Sequence, residues 1–225
     1  MESPLAEPIT VALVDDQALF RAGIRMLVAS QSDLEFAGEA GDGQQGVDLV
    51  ASCQPDVVLM DIRMPVMDGI EATAQILADA ELRGGVAPKI IVLTTFDLDE
   101  AATRAIRAGA SGFLLKDAEP EFLLAAIRTV HSGNAVIAAS ATRELFEHFG
   151  AAPVRQEPEA YGTLTDRERQ IFELAARGLS NAEIARQEFL SEATVKTHVS
   201  RILSKLALRD RVQLVVFAYE HGLAT

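Results

Sequence analysis

Apolar residues in the first half of the chain fall into two alternating patterns. Unbroken runs occur at Ile9-Thr10-Val11-Ala12-Leu13-Val14, Val57-Val58-Leu59-Met60 and Lys89-Ile90-Ile91-Val92-Leu93-Thr94. Such runs suit strands buried on both faces, as a parallel sheet requires. Leu34 to Ala40 reads as a further strand, and Gly112-Phe113-Leu114-Leu115-Lys116 as a short one. Between them the apolar positions take helical spacing: Leu19, Ile24, Leu27 and Val28; Val47, Leu49 and Val50; Ile70, Ala74 and Leu77 after Gly69. Asp99 to Ala108, closed by Gly109, and Glu121 to Val130 complete the series. Five strands alternating with five helices predict an α/β unit whose parallel sheet is covered on both faces.

From Ser132 the pattern loosens. Thr142 to Phe149 predicts one short amphipathic helix through Leu145, Phe146 and Phe149. Residues 150–162 contain Pro153 and Pro158 and no apolar period, so they read as a semi-extended linker. Helical signals then return. Thr165-Asp166-Arg167-Glu168 and Ser180-Asn181-Ala182-Glu183 are capping boxes, Ser191 can cap a third helix, and Asp210-Arg211-Val212-Gln213 opens a fourth. Four short helices with a tight turn between the second and third predict a helix-turn-helix.

Composition divides the chain at the same place. The net charge of −13 argues superficially against a nucleic-acid partner. Residues 1–150, however, carry 10 Lys/Arg against 23 Asp/Glu, whereas residues 161–225 carry 9 against 8. The acidity belongs to the first unit, which suggests two units with different partners. No apolar run approaches the ~20 residues of a membrane span. The start, Met1-Glu2-Ser3-Pro4, has no signal-peptide pattern, so a cytoplasmic location without membrane partners is expected. The single Cys53 is expected to be a small core residue. The histidines at 131, 148, 198 and 221 lack zinc-ligand spacing.

The candidate chemistry lies on one rim. Asp15, Asp16, Asp61, Thr94 and Lys116 close the elements of the sheet at its carboxyl edge, where open α/β sheets place their sites. Three carboxylates packed together repel one another unless a cation sits among them. An all-oxygen set suits a hard cation such as Mg²⁺. A carboxylate beside that ion and a lysine can accept a phosphoryl group, with Thr94 bonding the new oxygens. One competing motif is present. Gly41-Asp42-Gly43-Gln44-Gln45-Gly46 has the G-x-G-x-x-G spacing of a dinucleotide loop, with Asp61 as the following acid. It follows the second strand, not the first, and is read as a Gly-rich turn opening a surface helix.

Residues 9 to about 132 resemble a response-regulator receiver domain. The resemblance rests on Asp15-Asp16, Asp61 with Met64-Pro65 and Asp68-Gly69, Thr94-Thr95, and the run Gly109 to Lys116. It implies a flavodoxin-like sheet of order 2-1-3-4-5 and phosphorylation of Asp61 by a sensor histidine kinase. It further implies that Asp16, Asp61 and the backbone carbonyl of Arg63 bind Mg²⁺, with Asp15 assisting. Thr94 and Phe113 would be the switch pair. The chain would then be a phosphoryl-accepting regulator and not an enzyme. One departure is Asp117, which follows Lys116 where many receivers have proline, often after a cis bond.

In the third C-terminal helix Val195, Val199, Ile202 and Leu206 form one buried stripe. The opposite arc presents Thr194, Lys196, Thr197, Ser200, Arg201, Ser204 and Lys205, with no acid. A single-sign face beside a helix-turn is a candidate for the major groove. The segment resembles the LuxR-type helix-turn-helix of NarL/FixJ-family regulators. Leu164-Thr165-Asp166-Arg167-Glu168, Gly178-Leu179-Ser180-Asn181, Glu183-Ile184-Ala185 and the run Ser191 to Val199 carry the resemblance, which Lys205-Leu206 and Arg209-Asp210-Arg211 continue. It implies DNA contacts from Lys196 and Thr197, with Thr194, Ser200, Arg201 and Lys205 on the same face, and dimerisation through the last helix. Ala207 stands where glycine is usual, so the third helix is expected to run on past it.

The expectation is a two-component transcription factor with a receiver at 7–132, a connecting helix and linker at 133–162, and a DNA-binding domain at 163–225. Its expected partners are a sensor kinase, operator DNA, a second copy of itself and RNA polymerase. Two alternatives are a nucleotide-binding enzyme using Gly41 to Gly46, and a C-terminal unit that binds protein instead of DNA.

Overall fold

The computed structural model describes residues 7–95, 100–133, 136–137 and 158–223. The chain divides into two compact units, Met1–Ala141 and Thr142–Thr225. Each is described by itself. The helix expected over 142–149 lies outside the described residues.

In the first unit, strands β1 (Ile9–Val14), β2 (Leu34–Ala40), β3 (Val57–Asp61), β4 (Lys89–Thr94) and β5 (Gly112–Leu115) alternate with helices α1 (Ala18–Ala29), α2 (Gly43–Cys53), α3 (Gly69–Leu82), α4 (Glu100–Ala108) and α5 (Pro120–His131). All strand pairs are parallel, and the order is 2-1-3-4-5 with a sixth strand, β6 (Val136–Ile137), beside β5. β6 falls in the stretch read as connector; two residues carry no periodicity from which to predict it. Side chains alternate across the sheet. Val11, Leu13, Val57, Leu59, Ile91 and Leu93 pack with Ile24 and Val28 of α1 and Leu124 and Ile127 of α5. Val14, Val58, Met60, Ile90, Val92 and Phe113 face the other way, toward Val47, Ile76 and Ala105 of α2, α3 and α4. Cys53, expected in the core, ends α2 half-buried, and burial pushes its thiol pKa up.

The Gly-rich loop serves packing. A Cβ on Gly43 would stand 2.5 Å from the Met67 carbonyl oxygen, and one on Gly46 would stand 2.7 Å from Val14 Cγ1. The Gly43 amide donates to that Met67 oxygen at 3.2 Å, and Asp42 caps α2 through the Gln45 amide. Gly43 lets α2 press against the loop after β3, and Gly46 lets it press against the end of β1.

The second unit opens with a 3-10 turn (Tyr161–Thr163), followed by α6 (Asp166–Ala176), α7 (Asn181–Gln187), α8 (Glu192–Lys205) and α9 (Arg211–Glu220). Both capping boxes form, Ser191 accepts from the Thr194 amide, and Asp210 accepts from the Gln213 amide. Tyr161, read as the end of the linker, is buried in this core with its ring edge-on to Phe172 at 5.1 Å. The same core holds Ile171, Phe172, Ile184, Val195, Val199, Ile202, Leu206 and Leu214.

All four helices end alike. The amides of Leu179, Leu190, Leu208 and Leu223 reach back to the carbonyls of Leu174, Ala185, Leu203 and Ala218. Each of these leucines packs on the core, and the residue before it has positive φ: Gly178, Phe189, Ala207 and Gly222. This is the Schellman ending, which favours glycine. Ala207 therefore corrects the expectation of a longer third helix: α8 stops at Lys205, and Ala207 takes φ 54°. Burying Leu208 offsets the ~1 kcal/mol that the left-handed conformation costs an alanine.

Candidate functional site

β1, β3, β4 and β5 deliver the predicted rim. Asp15 follows the last residue of β1 and is fully buried, while Asp16 is exposed. Asp61 is the last residue of β3 and is 4% exposed. Its neighbourhood demands glycine at 69, where a Cβ would lie 1.8 Å from the Asp61 carbonyl oxygen. The Gly69 amide donates to the Ile62 carbonyl at 2.9 Å, so α3 starts against the backbone of Asp61 and Ile62. Asp68 caps that helix through the amides of Ile70 and Glu71.

Lys116 joins the two buried acids. Its Nζ lies 2.7 Å from Asp15 Oδ2 and 2.8 Å from Asp61 Oδ2. Burial alone would lower the lysine pKa, but the hydrogen bonds and charges of Asp15 and Asp61 outweigh it, and the ammonium is held above its ordinary range. Burial raises the pKa of Asp61, and the Asp15 charge adds to this against the opposing pull of Lys116. The Lys116 amide donates to the Thr94 carbonyl at 2.7 Å, fixing the end of β4 against the lysine. Thr94 is 9% exposed, and Phe113 lies in the core beneath it, 1% exposed. No described peptide bond is cis, so Lys116-Asp117 is trans.

The carboxylates of Asp15, Asp16 and Asp61 each place an oxygen within 4.8 Å of the others. With one ammonium among three carboxylates, the cluster keeps an excess of two negative charges. An all-oxygen, electron-rich cluster of this size fits a hard divalent cation. The Arg63 amide faces Asp61 Oδ1 at 3.4 Å, which puts the start of the β3–α3 loop at the site.

Three residues at the site carried no sequence signal. Arg21 Nη1 donates to the Asp15 carbonyl at 2.7 Å while its Nε pairs with Glu39 at 3.4 Å. The Gln17 amide donates to Asp15 Oδ1 at 2.8 Å. The ring of Phe20 stands 5.1 Å from Lys116 Nζ, in cation–π range. All three sit on or just before α1, where side-chain direction depends on how the helix leaves β1.

In the second unit, Val195, Val199 and Ile202 are buried, and Thr194, Lys196, Thr197, Ser200 and Arg201 are exposed on α8. Lys205 is otherwise engaged. Its Nζ lies 2.6 Å from Glu168 Oε2 and 3.1 Å from the Thr163 carbonyl, bracing α8 against α6. Glu168 thus supplies, from another helix, the acid that the α8 face itself lacks. The Lys205 hydrogen bond, then the Thr165 amide, pulls the Glu168 pKa down to about 2.

Residues 11–128 match the family model of the response regulator receiver domain. Residues 162–218 match that of the bacterial regulatory proteins of the luxR family. This chain belongs to the response regulators. The regulator is 43% identical to the transcriptional regulatory protein YxjL of Bacillus subtilis strain 168, over 96% of this chain and 98% of the relative. It is 37% identical to the nitrate/nitrite response regulator NarL of Escherichia coli K12, over 95% and 96%. The crystal structure of the response regulator ChrA, from a heme-sensing two-component system, matches with a TM-score of 0.51 at 35% identity, over 97% of this chain and all of that one. The regulator is a receiver followed by a LuxR-type DNA-binding domain, a transcriptional regulatory architecture. Its Gly41–Gly46 loop is accordingly a packing feature of a receiver. Among the described residues no helix is long and apolar enough to cross a membrane.

Proposed function

We propose that the regulator takes a phosphoryl group on Asp61 from a sensor histidine kinase in the cytoplasm and binds operator DNA through α8 in response. The observation that carries this reading is the meeting of Asp15, Asp16 and Asp61 with the Lys116 ammonium at one sheet edge. Asp61 Oδ2 is held by Lys116 at 2.8 Å, whereas Oδ1 meets the Arg63 amide at the longer 3.4 Å, so Oδ1 is the freer nucleophile. It would attack phosphorus as the bond to the donor's imidazole nitrogen breaks, and the imidazole leaves with the bonding pair. Lys116 would neutralise charge on the transferring oxygens, and the Thr94 hydroxyl would bond them afterwards. Asp15, Asp16, Asp61 and the Arg63 carbonyl would hold Mg²⁺, which when bound supplies further positive charge against the phosphoryl oxygens. Phe113 lies against this end of the sheet and would report the change to the α4 face. Lys196, Thr197, Thr194, Ser200 and Arg201 would meet the DNA, and two copies of the chain would occupy paired half-sites.

Phosphoryl uptake from labelled acetyl phosphate tests the reading. Wild-type protein should incorporate label only with added Mg²⁺, and Asp61→Asn should incorporate none. Equal labelling of the variant would overturn the assignment.

A further inference from the structure

Phe189 ends α7, two residues before the Ser191 cap of α8. It takes φ 54° at the glycine position of a Schellman ending. Gly178 and Gly222 fill the same position in the endings of α6 and α9. A phenyl ring there meets a strained backbone and gains no burial, for it is 95% exposed. Among the described residues it is the one large hydrophobic of the second unit so exposed. Leu190 beside it turns into the core, which sends the ring outward. Neither local propensity nor packing explains a phenylalanine here.

Its place does. The ring stands at the N-terminal end of α8, the end that a recognition helix presents to base edges. Of the two acids nearby, Glu188 is paired with the Arg167 guanidinium, whose Nη2 also donates to the Glu188 carbonyl at 3.1 Å, and Glu192 is the exposed first residue of α8, at that helix's positive end. An apolar ring on the rim of a basic and hydroxylic face suits the apolar feature that the major groove offers, the 5-methyl group of thymine. We propose that Phe189 reads a thymine methyl at the edge of each half-site and so contributes to operator specificity. The inference rests on DNA binding by α8.

The test uses the full chain, phosphorylated from acetyl phosphate, and duplexes that it selects from a random pool. The selected duplexes are amplified with either thymine or uracil, which differ only in the methyl group. Burying one methyl changes affinity about fourfold, so wild type should bind thymine duplexes about fourfold more tightly than uracil duplexes. Phe189→Gly should lose about tenfold in affinity for thymine duplexes and bind both kinds almost equally. It should also unfold at higher urea than wild type, because glycine relieves the strained turn; a loss of binding is then not a loss of fold. Ala207→Gly, altered at the matching position of α8, should keep the wild-type preference for thymine. Equal losses on both duplexes would overturn the proposal in favour of a backbone contact. Undiminished binding by Phe189→Gly would overturn it in favour of a protein partner for the ring. Failure of wild type to select any duplex would overturn the DNA-binding reading itself.

Discussion

Replacing Glu168 by glutamine keeps the side chain's shape and removes its charge. In the native unit one oxygen, Oε2, accepts from Lys205 Nζ at 2.6 Å, the Thr165 amide at 2.8 Å and Thr165 Oγ1 at 3.0 Å. The carboxyl pKa falls from 4.5 to about 2. Taken in full, that difference is worth about 3 kcal/mol. The Lys205 side chain is 35% exposed, so water screens the pair, and about 1–2 kcal/mol remains. The sign follows from the lowered pKa. The stabilisation is fully present above about pH 5, where the unfolded carboxyl is also ionised, and is lost as pH falls toward 2. Glu168→Gln should therefore cost about 1–2 kcal/mol at about pH 7, and the gap should shrink by more than half at about pH 3. Urea unfolding followed by tyrosine emission measures it selectively. The chain has no tryptophan, and its two tyrosines, Tyr161 and Tyr219, both lie in the second unit. Lys205→Met should give a similar loss, and the double variant should lose less than the sum. A pH-independent difference, or strictly additive losses, would refute the account of Lys205 as a brace.

Ala207→Gly should stabilise the second unit by about 0.5–1 kcal/mol, because relief of the left-handed alanine exceeds the added freedom of the unfolded glycine; a lower urea midpoint by tyrosine emission would contradict it. Gly69→Ala would set a methyl group 1.8 Å from the Asp61 carbonyl oxygen. It should destabilise the receiver by about 3 kcal/mol or more and depress phosphoryl uptake, read by circular dichroism and acetyl phosphate labelling; wild-type values for both would show that the loop yields. Lys196→Ala should weaken DNA binding and lower the slope of log affinity against log salt by about one, if the ammonium meets a phosphate. An unchanged slope in a binding titration across salt would remove it from the interface.

Much of this was legible in the sequence, for physical reasons. Strands buried on both faces must be continuously apolar, so Val11 to Val14, Val57 to Met60 and Ile90 to Leu93 announce themselves, and the parallel crossovers then put Asp15, Asp61, Thr94 and Lys116 on one edge. The capping boxes at Thr165 and Ser180 were visible because both partners lie within one turn. What was hidden depends on tertiary direction. Arg21 and Phe20 reach the site only because of the angle at which α1 leaves β1. The glycines of the 41–46 loop matched a nucleotide motif, yet Gly43 and Gly46 answer to Met67 and Val14, residues distant in sequence. The end of α8 looked open because Ala207 replaces the glycine that marks such an end; Leu208 decides the turn by packing on the core. Lys205 shared a helix face with Lys196, but Glu168 on α6 claims it.

The central claim is that Asp61 carries the phosphoryl group. An aspartyl phosphate is reduced by borohydride to homoserine, whereas a free carboxylate is not. Protein phosphorylated by acetyl phosphate with Mg²⁺, reduced and mapped by peptide mass spectrometry, should show homoserine at position 61 and aspartate retained at 15 and 16. Homoserine at 15 or 16, or at any position in the Asp61→Asn variant to the same extent, would contradict the account.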